Sequence, residues 1–261
     1  KNIFNHNPNS KIIIHVNKSF SNFNKNLFLL IPEFKNVYIN SKRFNYIYGK
    51  GLLWIHINNF LYAIENNIDF KYFCIISSNE MFIKDGLIDY INKNKNGLQL
   101  VEFSRENQWH LFQKKIEKNE NIVNLLNFLK LDNIYGGQVE GSFFEREIFQ
   151  SIKDIYLKFF GEIEIQGYET EEIILQTIFK SFNLPNGLPF TLQNYSNNII
   201  FDEDFIKKII NNTAIIPNNT KSKTLFSPHI SNGNRIDNKI TESIFSIKRV
   251  DRTFNNLRNF L

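Results

Sequence analysis

The chain has 261 residues, of which 42% are hydrophobic, with a formal charge of +5 and a pI near 9.1. That is ample material for a core, in one large domain or two small ones. No run of about 18 apolar residues occurs, which excludes a membrane-spanning helix. Cys74 is the only cysteine, so no intrachain disulfide can form and a reducing compartment, a cytoplasm, is expected. No dense block of lysine and arginine is present, so charge alone does not point to nucleic acid. The chain opens at Lys1, its one methionine is Met81, and it has no signal-peptide pattern, as expected of a trimmed product.

In chain order, Lys11 to Val16 is a compact β-branched run that predicts a strand, closed by the polar turn Asn17-Lys18-Ser19. Leu27 to Ile31 is apolar and stops at Pro32. Residues 35–40 alternate, with Val37 and Ile39 on one face of a second strand. Gly49 and Gly51 flank Lys50, and Leu52 to Glu65 then runs without Gly or Pro, which predicts a helix. Leu53, Ile57, Phe60, Leu61 and Ile64 fall at helical spacing, while Leu52, Ile55 and Tyr62 fill other faces, so this helix should be buried. Tyr72 to Ile76 is a continuous apolar run, the pattern of a strand covered on both faces. The polar knot Ser77-Ser78-Asn79-Glu80 follows it. Ligands of open α/β sheets bind beyond the carboxyl ends of strands, which makes that knot the first place to look.

Asp85 to Asn94 predicts a short helix, and Gln99 to Phe103 a strand. The order β, β, α, β, α, β is that of an α/β sheet with mostly parallel strands. Trp109 to Lys130 reads as one or two amphipathic helices, broken by Gly136-Gly137-Gln138-Val139-Glu140-Gly141. Ser142 to Phe160 predicts the longest helix, with Phe144, Ile148, Ile152, Ile155, Tyr156 and Phe159 along one stripe. Glu169 to Phe182 predicts another. Asn194 to Ser231 is irregular apart from a helix at Phe205 to Ile210, and Ile240 to Leu261 closes with a strand or helix and a basic end. With no repeat and no linker, residues 1–261 read as one domain.

Candidate chemistry is dispersed. The five histidines stand apart, at positions 6, 15, 56, 110 and 229, so a zinc site is not expected. Asp202-Glu203-Asp204 matches the DxD pattern that holds a divalent cation in many nucleotide-sugar enzymes, but acids in a first helical turn also complement the helix dipole. Gly136-Gly137 and Gly49-x-Gly51 are neither GxGxxG nor a phosphate loop, and no GxSxG is present. Glu171 and Glu172, after Thr170, suit an ordinary N-cap with acids in the first turn. That ordinary reading is the favoured one from sequence alone; the functional one needs a carboxylate placed to take a proton from an acceptor hydroxyl. Lys248-Arg249, with Lys221, Lys223, Arg235 and Arg252 nearby, form either a basic surface or a clamp for a diphosphate.

Several of these pieces, in this order, resemble the family 14 glycosyltransferases, the core-2/I-branching N-acetylglucosaminyltransferase and xylosyltransferase group. That family's pattern runs roughly YxIHVDKKS, NVxV, VxWGGxSLVxA, then a strand closed by LSGxDxPLKS. Here stand IIIHVNKSF (Ile12 to Phe20), NVYI (Asn36 to Ile39), YIYGKGLLWIH (Tyr46 to His56) and ISSNEMFIKD (Ile76 to Asp85). The family's PDExxxxT is matched in its Glu-to-Thr spacing by Glu172 and Thr177, and its FARKFD is similar to Ser246 to Asp251. Departures are Asn17 for an aspartate, Ser78 for the SGxD glycine, Glu80 for its acid, Phe82 for its proline, and Thr170-Glu171 for Pro-Asp.

The resemblance implies a GT-A-like fold with a mostly parallel central sheet and a helical C-terminal half, the nucleotide-sugar part over about residues 1–105 and the acceptor part over about 106–261. It implies an inverting transfer of a sugar, such as an N-acetylhexosamine, from a UDP-sugar donor to a glycan or glycolipid acceptor. Glu172 would be the general base. The donor would meet His15, Val16, Asn17, Tyr48, Gly49, Ser77, Ser78, Asn79 and Glu80, and its diphosphate Lys248 and Arg249. No metal or other cofactor is required, and no nucleic-acid partner. The single cysteine then points to a bacterial-type cytoplasmic member, working in part at the inner face of the membrane. The competing expectation is a non-catalytic glycan- or nucleotide-binding domain on a degenerate transferase scaffold, motivated by the SSNE and TEE elements. A basic nucleic-acid-binding protein is a third.

Overall fold

Helix α2 (Leu52–Glu65) leaves Gly51 at φ 78, a left-handed turn that suits glycine. The computed structural model describes residues 2–20, 35–44, 51–78, 80–102, 119–161, 172–193, 203–211, 213 and 242–248. Within them the chain is mixed α/β, with seven helices and nine short strands. As its spacing predicts, α2 is buried almost all round: Leu53, Ile57 and Phe60 are wholly enclosed and only Glu65 is exposed. Around it pack α4 (Glu120–Leu129), α5 (Arg146–Phe160) and α6 (Ile174–Ser181), each giving one apolar stripe to the same core. Phe149 of α5 stands at its centre, with ring centroids 5.0 Å from Phe60 and 4.4 Å from Phe73. Among the described residues no helix is long and apolar enough to cross a membrane.

The strands form several small ladders. β1 (Ile12–Ile14) runs parallel to β2 (Val37–Ile39), and β3 (Tyr72–Cys74) runs antiparallel to β7 (Phe143–Glu145). β4 (Glu80–Phe82) pairs antiparallel with β9 (Ser246–Lys248), which pairs parallel with β8 (Thr191–Gln193). β5 (Val101–Glu102) and β6 (Tyr135–Gly136) form an antiparallel pair. Two of these five ladders are parallel, so the described strands do not make up one mostly parallel sheet. Helices α1 (Asn2–His6), α3 (Leu87–Asn94) and α7 (Glu203–Ile210) complete the described elements.

Two local expectations are corrected. Ser142 to Phe160 is not one helix, because Phe143, Phe144 and Glu145 form β7 before α5 begins. Successive side chains of a strand point to opposite faces. Phe143 therefore joins a second core with Phe82, Phe190 and Phe245, while Phe144 joins the core around Phe149. Glu80, the last residue of the polar knot, opens β4. The helix expected from Glu169 begins at Ile174, after a single tight turn at Glu172. Residues 162–171, with Thr170 and Glu171, lie outside the described residues.

Candidate functional site

A polar face of the β4–β9–β8 sheet forms the centre of the site. Glu80 stands opposite Lys248 and Thr191 opposite Ser246 in the register, so period-two alternation turns these four to one face. Met81, Leu192 and Ile247 turn to the other and are buried. The Thr191 and Ser246 hydroxyls donate to Glu80 Oε1 at 2.5 and 2.6 Å. The Ser77 amide donates to Oε2 at 2.9 Å, and the two hydroxyls lie 2.9 Å apart. Burial pushes the Glu80 carboxyl up to about 7 against these hydrogen bonds, and the nearby Glu140 charge pushes the same way. A carboxyl at that value both gives and accepts protons near neutrality. The same burial, with Glu80 adding to it, lifts the Cys74 thiol to about 12 and makes it unreactive.

Lys248 forms a close ion pair with Glu140, each side chain only 14% exposed. Glu140 reaches it from the glycine-rich turn before β7. There Gly141 adopts φ +77, and a Cβ would lie 2.7 Å from the Thr191 Cβ. Its amide donates to the Ile75 carbonyl at 2.8 Å. The Glu140 charge also acts on His56 of α2. Burial takes that imidazole down to about 4, opposed by Glu140 and aided by His15. His15 is lowered too, by burial and then by Arg43. Its Nε2 accepts the Phe44 amide at 3.0 Å, and its ring stacks on Phe44 with centroids 5.9 Å apart. Val16 and Asn17 act through their carbonyls, which receive the Arg43 guanidinium at 3.3 and 2.8 Å, while the Asn17 side chain caps the turn to Ser19.

Glu172 lies at the other end of the same turn. Gln138 Nε2 donates to Glu172 Oε1 at 2.6 Å, and the Glu172 carbonyl accepts the Gly137 amide at 2.9 Å. Gly137 has to be glycine: a Cβ would fall onto the Gln99 carbonyl, 2.8 Å from its carbon. Gln176 of α6 donates to the Gly137 carbonyl at 2.8 Å. Thr177 Oγ1 donates to the Tyr135 carbonyl at 3.1 Å and accepts its amide at 3.0 Å. Glu172 and Thr177, singled out by their spacing, thus both grip the segment that carries the glycine-rich turn.

Of the residues expected from sequence, Ser77, Glu80 and Lys248 converge on one group, and Glu172 joins it through the turn from Gly137 to Gly141; His15 lies instead against Phe44. Ser78 is exposed beside Ser77. Tyr48, Gly49, Asn79 and Arg249 lie outside the described residues, as does Asp202; Asp204 is exposed in the first turn of α7. Among the described residues no group of three His, Cys, Asp or Glu side chains is placed to hold a metal. Sequence reasoning missed Glu140, Gln138, His56, Thr191 and Ser246. Ser246 could have been found from its alternation with Lys248, and Gln138 and Glu140 from their place between two tightly packed glycines.

No family model matches the chain, and no curated protein matches it. The family 14 reading therefore rests on the motif residues and on what they touch.

Proposed function

We propose that the chain is an inverting glycosyltransferase of the family 14 kind, built on a GT-A-like scaffold, that moves a sugar from a UDP-sugar to a hydroxyl of a glycan or glycolipid. The observation that carries this reading is the short turn from Gly137 to Gly141, which binds Glu172 through Gln138 and Lys248 through Glu140. A candidate base and a candidate phosphate cation, far apart in sequence, meet the same five residues. In the reaction, Glu172 takes the acceptor hydroxyl proton as that oxygen attacks the anomeric carbon. The bond from that carbon to the diphosphate oxygen breaks with inversion, and its electron pair leaves on the diphosphate. Lys248, followed in sequence by Arg249, neutralises the charge that develops there, a task a divalent cation performs in other transferases. Ser77 to Glu80 line the donor. The proposed setting is a cytoplasm, at the inner face of the membrane for a lipid-linked acceptor.

Glu172→Gln tests the assignment. Transfer should fall by a factor on the order of 10² or more, as for loss of a general base, while the dissociation constant for UDP stays unchanged. Near-normal turnover would remove Glu172 from the chemistry. A second reading, a binding domain without turnover, has one observation in its favour: Glu172 and Lys248 are both already engaged by side chains of the same protein. Sugar transfer or donor hydrolysis by the purified chain would exclude it.

A further inference from the structure

We propose that Glu140 is a built-in counter-anion, occupying the diphosphate position on Lys248 until the donor displaces it, and so sets the affinity for nucleotide. The inference rests on the reading of Lys248 as the phosphate-facing cation. A carboxylate and a phosphate oxygen make the same kind of charge-assisted bond to an ammonium, and the pair is largely withdrawn from water. Bulk salt therefore screens it weakly. Lysine presents a compact point charge rather than a rigid fork, so it can exchange one oxyanion for another without reorienting a plane.

The Glu140 backbone cannot retreat. The Gly141 amide is held by the Ile75 carbonyl, and the Phe190 amide by the Gly141 carbonyl. The left-handed Gly141 also sits hard against Thr191. Release of Lys248 must therefore come from rotation of the Glu140 side chain. The charge of that side chain already acts on the His56 imidazole. The side chain cannot settle beside Glu80, which is a second carboxyl and carries its own hydroxyl partners. A nucleotide-sugar diphosphate brings two negative charges against the single one of Glu140, which favours exchange.

Calorimetric titration of the full chain with UDP, and separately with inorganic pyrophosphate, tests this. Glu140→Gln should bind both about tenfold tighter than the wild type, since the ligand no longer has to break a partly buried ion pair. Lys248→Ala should bind both more weakly, and the double variant should show none of the gain. Glu140→Asp, whose shorter side chain pairs less well with Lys248, should give a smaller gain and serves if Glu140→Gln does not fold. Equal or weaker binding by a folded Glu140 variant overturns the proposal. If Lys248→Ala still weakens binding in that case, the nucleotide reading stands and this inference alone falls. If neither ligand binds any form of the protein, both fall together.

Discussion

Substituting Glu80 by glutamine should tilt a stability profile that these residues otherwise keep level between pH 4.5 and 6.5. The Glu80 carboxyl moves from an ordinary 4.5 to about 7 on folding. Between those values the folded chain holds a proton that the unfolded chain has released. Its contribution is complete below 4.5 and is lost as pH rises through 7, at about 1.4 kcal/mol per pH unit. His56 moves the other way, from 6.5 to about 4. Its contribution is complete above 6.5 and is lost as pH falls towards 4, with about the same slope. Over the shared window the two slopes cancel. Glu80→Gln leaves only the imidazole, so stability should climb by about 2 kcal/mol from pH 4.5 to 6.5, or roughly 4–8 °C in Tm for a chain of this size. His56→Phe should produce the opposite tilt. The Glu140 charge acts on both groups, Lys248 holds Glu140, and His15 and Arg43 lie on the imidazole side; all are common to the compared proteins. The glutamine carbonyl can keep the Ser77 amide while its NH2 meets the Thr191 and Ser246 hydroxyls, which accept as well as donate, so any cost of the exchange is the same at every pH. Such a cost lowers the profile without tilting it, so the diagnostic is slope. Urea titrations followed by circular dichroism at pH 4.5, 5.5 and 6.5 give it directly. A Glu80→Gln profile parallel to the wild type would refute the reasoning.

Two stability predictions test the surrounding frame. Gly137→Ala puts a Cβ against the Gln99 backbone, which cannot swing aside as a side chain would. Thermal unfolding should show a loss of about 1–3 kcal/mol, and an unchanged Tm would mean that the turn is not seated as described. Phe149→Ala empties the space between Phe60, Phe73 and Phe144. Chemical denaturation should report a loss of about 3–5 kcal/mol, whereas less than about 1 kcal/mol would mean that this core is not closed.

Helix α2 was legible because nothing competes with it: a long segment without Gly or Pro, apolar on nearly every side, has length on its side. β7 was hidden for the opposite reason. Phe143 and Phe144 are buried on opposite faces by two different cores, so no alternation survives, and the stripe of α5 absorbs them. The candidate site divides in the same way. Glu80, Lys248, His15 and Glu172 stand out in sequence by residue type within short motifs. Thr191 acquires its place only from what stands opposite it, since a partner across a ladder leaves no local pattern, whereas Ser246, Gln138 and Glu140 carry only the weaker signals of alternation with Lys248 and of a place between two tightly packed glycines.

The turn from Gly137 to Gly141 also limits how the two halves of the proposed chemistry can communicate. Gly137 is pinned by Gln99, Gln176 and Glu172, and Gly141 by Ile75, Phe190 and Thr191. With both ends fixed at the backbone, a diphosphate that takes Lys248 away from Glu140 turns a side chain and leaves the peptide between them where it was. Gln138 then keeps its hold on Glu172 whether or not the donor is bound. Under the proposed function, the orientation of the base would be a property of the folded chain, and the exchange at Lys248 would act on donor affinity alone.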